Sequence, residues 1–147
     1  MPPPDPIDWP EYCCAILRNG EGRLLLEKRA ATARHAPGLL ACFGGKREPG
    51  EHPDRCLRRE LQEELGWSIG ALHVRVAVRL RERGTERSIA WFYLGRPPRP
   101  DLPLRTLPGS QIVWVGPREI ESAPLSPWHR AALLAESRGE PVAWIEP

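Results

Sequence analysis

Glu60, Glu63 and Glu64 lie at positions i, i+3 and i+4 within the stretch 45–67, GKREPGEHPDRCLRRELQEELGW. On a helix that spacing projects all three carboxylates from one side. The Glu60/Glu63 and Glu60/Glu64 pairs would each cost about 0.2–0.5 kcal/mol through like-charge repulsion. Arg59 reaches Glu63 one turn on, but a cation preceding the acid is the weaker orientation. Two readings follow: a solvated acidic face, or a cation site in which coordination replaces repulsion. A carboxylate-only donor set favours hard, oxygen-seeking ions, Mg2+ first, with Mn2+ also possible.

Positioning those carboxylates requires a loop and a helix, and the stretch reads as both. Gly44-Gly45 and Pro49-Gly50 punctuate a turn-rich loop. Pro53 suits a first helical position, where its missing N–H has no partner to lose, and Gly66 suits a left-handed closing residue. Leu57, Leu61 and Leu65 form a narrow apolar stripe that can dock on a core.

This loop and helix resemble the Nudix box: Gly, five residues, Glu, seven residues, Arg-Glu, a bulky aliphatic, any residue, Glu-Glu, any residue, Gly, a bulky aliphatic. Here the pattern is met by Gly45, Glu51, Arg59-Glu60, Leu61, Glu63-Glu64, Gly66 and Trp67. Trp67, in the last aliphatic slot, is the one departure. The resemblance implies an α/β fold (α+β), an α/β/α sandwich with a mixed sheet between helices. It also implies Mg2+-dependent hydrolysis of a nucleoside diphosphate linked to another group. By resemblance Glu60 and Glu64 are the principal metal ligands, and Glu63 an additional ligand or one acting through water. A Gly45 carbonyl completes the metal set, with Glu60 as general base, Arg59 orienting the glutamates and Glu51 pairing with Arg59. Arg29 and Lys46 match family positions whose cations hold phosphate; for Arg29 the competing reading is an edge-strand charge against aggregation.

Other departures bear on the substrate. The segment 105–111, ahead of the strand carrying Trp114, lacks the acid many members place there. Phe43 stands where Pro is common. Leu125 sits nearest the slot where MutT-like oxidised-guanine sanitisers carry an Asn. Motifs marking NADH, coenzyme A or ADP-ribose members are absent downstream of the box. A MutT-like nucleoside triphosphatase is the favoured subclass, with a nucleotide-sugar or dinucleoside-polyphosphate hydrolase as the alternative. A non-catalytic ligand-binding domain is the reading from another class, and all four box glutamates argue against it.

The 147 residues suffice for one domain with a sizeable core, expected as a Pro-rich tail over 1–10 and one domain over 11–147. Net charge of +2 is too mild to argue for a nucleic-acid polymer or a membrane as partner. A small nucleoside diphosphate derivative is the expected partner, with the chain a monomer or homodimer. The N-terminus lacks the apolar core of a signal peptide. Cys13, Cys14, Cys42 and Cys56 have no Cys-x-x-Cys spacing and read as buried thiols in a reducing cytoplasm. Around the box, a hairpin is expected over 12–29. A strand follows with Val74, Val76, Val78 and Leu80 on its buried face, then strands at 89–94 and 111–115. The last helix is expected from Pro127 to Ser137, with Ser126 as its cap. Trp114 is expected to pack rather than stack on a base. The four histidines are expected at the surface or in caps.

Overall fold

Residues 5–147 are described by a computed structural model of the chain. Met1–Pro4, part of the expected Pro-rich tail, lie outside the described residues. The main sheet has five strands in the order β4-β1-β6-β5-β8: β4 is Gly44–Lys46, β1 Tyr12–Leu17, β6 Thr85–Gly95, β5 Leu72–Glu82 and β8 Val142–Ile145. It is mixed, because β1 runs parallel to β6 and β5 parallel to β8, while β1–β4 and β5–β6 are antiparallel. A second sheet, entirely antiparallel, places β2 (Leu24–Lys28) between β3 (Leu40–Ala41) and β7 (Gln111–Val115).

The two helices cover opposite faces of the main sheet. α1 (Pro53–Leu65) buries Leu57, Leu61 and Leu65 against Cys13, Ala15, Leu17 and Tyr93. Each of these leucines, fully removed from water, contributes about 1.5–3 kcal/mol. α2 (Pro127–Ser137) packs Ala132, Leu133 and Ala135 into a second core with Cys14, Ile16, Val76 and Phe92. Adjacent cysteines on β1 therefore serve opposite cores, as strand alternation requires. All four cysteines are buried and unbridged. This is the expected sandwich, with the small sheet added to it.

Three details differ from expectation. The residues at 12–29 turn as a hairpin does: Asn19 accepts the Glu21 and Arg23 amides on its side chain, and its own amide donates to the Arg23 carbonyl. Beyond an isolated bridge from Arg18 to Leu24, however, the strands part into different sheets. Val74 is 48% exposed although Val76 and Val78 are fully buried. A register shift leaves Arg75 unpaired, with Val74 opposite Tyr93 and Val76 opposite Phe92, so the bulge turns Val74 to the other face. β8 follows the last helix where no strand was expected; its four residues pair with β5 at the sheet edge.

Candidate functional site

The site is built where β4 meets α1. His52 caps α1, its Nδ1 accepting the Asp54 amide at 3.2 Å, and Pro53 opens the helix. Gly66 closes it at φ 66°, donating its amide to Gln62. Arg105, from the long Pro-rich loop, donates to the Gln62 and Glu63 carbonyls at this end. A cation at the negative end of the helix dipole holds that loop against α1.

Gly44 has φ 149°, and a Cβ there would overlap the Cys13 carbonyl oxygen on β1. Gly45 is bare for another reason: its Cα faces the Glu60 carboxylate, which a Cβ would strike. The loop therefore approaches strand and helix as closely as backbone allows. Glu64 is 8% exposed and accepts the Gly44 amide at 3.0 Å. Burial, then the charges of Glu27 and Glu60, push its carboxyl up to about 9. Glu60 is also raised, first by burial, with Arg59 opposing.

Arg59 is the hub behind these acids. Its Nε and Nη2 grip Glu51 at 2.8 and 2.9 Å, a bidentate pair. Its Nη1 donates to Glu60 at 3.0 Å and reaches Glu63 at 3.3 Å, and Nη2 donates to the Lys46 carbonyl at 3.1 Å. The guanidinium holds Glu51 down at about 2. Glu63 is the outlier of the three helix acids: it is exposed, and among the described residues its carboxylate pairs only with Arg59.

A cavity of about 600 Å3 opens beside this arrangement. Glu60, Gly45, Lys46 and Arg29 line one part of it; Tyr12, Phe92, Trp128 and His129 also line it. Tyr12 and Trp128 meet edge-to-face with centroids 5.8 Å apart. Of the expected site residues, the structure brings Glu60, Gly45, Lys46 and Arg29 onto this cavity. Glu64, Arg59 and Glu51 support it from behind, and Glu63 stays outside. Arg29 follows the central strand of the small sheet, which removes the edge-strand reading. It is tethered by the His35 carbonyl at 2.7 Å and by Glu27 at 3.2 Å.

Several contributors were not singled out in the sequence. Glu27 is a buried carboxylate, 5% exposed, on β2. Its signal was a lone acid ending a run of three leucines. Tyr12, Trp128 and His129 reach the cavity from β1 and α2, and no local pattern joins them. His129 is neither a surface nor a capping residue: its Nδ1 accepts the Cys42 amide at 3.0 Å, and burial pushes its pKa down to about 4. Trp114 packs against the core under α1 and does not line the cavity.

Among the described residues, no three His, Cys, Asp or Glu side chains are already gathered as a metal cage. Glu60 is turned onto Arg59 and Glu64 onto the Gly44 amide. The donor chemistry nonetheless fits a hard cation: two mutually repelling, largely buried carboxylates beside a glycine backbone, with no thiolate or imidazole among them.

An acidic helix docked on a glycine loop, within an α/β/α sandwich, defines the class. The chain belongs to the Nudix family: the NUDIX domain model matches residues 10–135. Over 85 residues it is 39% identical to the 8-oxo-dGTP diphosphatase of Escherichia coli (strain K12), covering 57% of this chain and 64% of that protein. Over 88 residues it is 36% identical to the nucleoside triphosphatase NudI of Enterobacter sp. (strain 638), covering 55% and 62%. The chain thus spans a little under two thirds of these curated relatives. A MutT protein from Methanosarcina mazei Go1 shares the fold at TM-score 0.70 and 23% identity, over 86% of this chain and 91% of that one. The E. coli ORF135 protein superposes at TM-score 0.66 and 27% identity, over 86% and 87%. No helix among the described residues is long and apolar enough to cross a membrane.

Proposed function

We propose that this chain is a Mg2+-dependent pyrophosphohydrolase that cleaves the diphosphate linkage of a nucleoside triphosphate. The observation that carries the reading is one cavity lined both by Glu60, Gly45, Lys46 and Arg29 and by Tyr12 and Trp128. The first set suits a charged phosphate chain and the second a planar base. The similarity to a diphosphatase and a nucleoside triphosphatase supports the same reading.

Glu60, Glu64 and the Gly45 carbonyl would hold the ion, with Glu63 joining directly or through water. Once bound, Mg2+, or Mn2+ in its place, supplies Lewis-acid charge that neutralises the diphosphate and acidifies the attacking water. Lys46 and Arg29 bind phosphate oxygens. Lys46 is exposed, and its long flexible stem can follow them, whereas Arg29 is held by the His35 carbonyl and Glu27. Arg59, locked by Glu51, orients Glu60 through one carboxylate oxygen and leaves the other free. Burial raises the proton affinity of Glu60, which suits it as the general base toward water. Most of the rate enhancement then comes from positioning and charge.

Release of phosphate and pyrophosphate from a panel tests this, with Mg2+ and with EDTA. The panel holds ordinary and oxidised nucleoside triphosphates, nucleotide sugars, dinucleoside polyphosphates and ADP-ribose. Mg2+-dependent cleavage of a triphosphate to monophosphate and pyrophosphate is expected. Cleavage confined to nucleotide sugars or dinucleoside polyphosphates would overturn the substrate class, and silence across the panel would overturn hydrolysis.

A further inference from the structure

The start of α2 carries two polar side chains that the fold leaves open to the cavity. Ser126 and His129 are three residues apart and so share a helix face. Ser126 occupies the N-cap position, yet its hydroxyl makes no capping hydrogen bond, and it lines the cavity. His129 is more constrained. Its Nδ1 accepts the Cys42 amide at 3.0 Å. An amide can only donate, so Nδ1 presents its lone pair and the single proton of the neutral ring lies on Nε2. The ring also meets Phe92 edge-to-face, with centroids 5.1 Å apart and planes at 85°. Among the described residues no buried side-chain nitrogen or oxygen lacks a partner, and Nε2 has none from the protein. It is therefore accessible, and His129 lines the cavity. Burial lowers the pKa to about 4, which keeps the ring in this donor form at neutral pH.

We propose that His129 reads the substrate base: its Nε2–H donates to an acceptor on the edge of a planar base seated against Tyr12 and Trp128, favouring bases that present a carbonyl there over those that present an amino group. An amino group would set donor against donor. Ser126 can donate or accept and so adapts to whatever adjoins that group. One well-formed hydrogen bond corresponds to about tenfold in affinity in a site still reached by water. The inference rests on the nucleotide reading above and assigns the selectivity of the same cavity.

The test is equilibrium binding of non-hydrolysable α,β-imido nucleotides with Mg2+, read by quenching of tryptophan fluorescence. Matched pairs exchange oxo for amino, with the adjoining ring nitrogen changing from N–H donor to acceptor, a change that the Ser126 hydroxyl can follow: uracil with cytosine, hypoxanthine with adenine. Wild type is expected to bind the oxo member about tenfold more tightly in the ring size that the cavity accepts. In His129→Asn, Oδ1 can still accept the Cys42 amide but nothing reaches the Nε2 position, so the ratio should fall to within about twofold. In His129→Gln the terminal amide reaches that position with either its NH2 or its carbonyl, so it serves oxo and amino members alike and the preference should likewise fall to within about twofold. Thermal melting of both variants verifies folding; should the Asn variant not fold, the wild-type ratio and the Gln variant still decide. No oxo preference in wild type overturns the inference, as does a preference that survives in folded His129→Asn. Absence of all nucleotide binding overturns it together with the nucleotide reading. Selective binding without cleavage leaves this inference standing and removes only hydrolysis.

Discussion

Glu64 accepts the Gly44 amide inside the fold while burial, Glu27 and Glu60 push its carboxyl up to about 9. Without metal it is therefore protonated at neutral pH, although it would be ionised in the unfolded chain, where its value is near 4.5. A group raised on folding contributes stability that is complete below about 4.5 and lost as pH rises toward about 9. The metal-free protein should thus lose melting temperature across that window, and Glu64→Gln should flatten the decline; equal slopes would contradict the assignment. His129 acts in the opposite sense. Its value is lowered from 6.5 to about 4, so its contribution is complete above 6.5 and lost as pH falls through 4. Melting of His129→Gln from pH 7 to pH 4 should show a shallower acid loss than wild type. Gly45→Ala should fold, because the atoms nearest its Cβ are the end of the Glu60 side chain rather than backbone, yet turnover should drop at least tenfold as that carboxylate is displaced. At this scale the gathering of the box glutamates, Arg59 and Gly45 in one place was legible because one loop and one helix carry them all. Glu27, Tyr12, Trp128 and His129 were not, because three separate elements bring them to the site.

α1 presents its carboxylates correctly only while its opposite face stays docked. Leu61 is fully buried in that face, so Leu61→Ala should cost about 2–5 kcal/mol in denaturant unfolding. Gly44→Ala should cost about 2–4 kcal/mol, since the new Cβ meets the β1 backbone rather than a flexible side chain. A loss below 1 kcal/mol in either variant would mean the loop and helix dock less tightly than described. The bounds of α1 and α2 were legible because proline, glycine and leucine spacing are local signals. The partners of β1 were not. A turn between two apolar runs reads as a hairpin, but burial of both faces of β1 requires neighbours from distant sequence, here β4 and β6. The bulge at Arg75 was equally hidden, because period-two alternation carries no mark of an inserted residue.

The sandwich layout followed from the family resemblance and from apolar runs on either side of one acidic helix. The second sheet and the edge strand β8 did not, since four residues, VAWI, carry too little pattern to declare a strand. Assembled, the molecule pays for two crowded, buried carboxylates, and a bound cation should return that cost as stability. At a Mg2+ concentration one hundred times its Kd the gain would be about 2.7 kcal/mol, or roughly 5–10 °C in a domain of this size. That shift should shrink as pH falls below about 9, because Glu64 must release its proton to bind. The most direct test of the central claim is Mg2+-dependent turnover of the best triphosphate substrate by wild type, Glu60→Gln and Glu64→Gln, each verified as folded by melting. Losses of at least a hundredfold in both variants, with the Mg2+-induced rise in melting temperature abolished, are the predicted result. Near-native turnover in either folded variant would contradict the account.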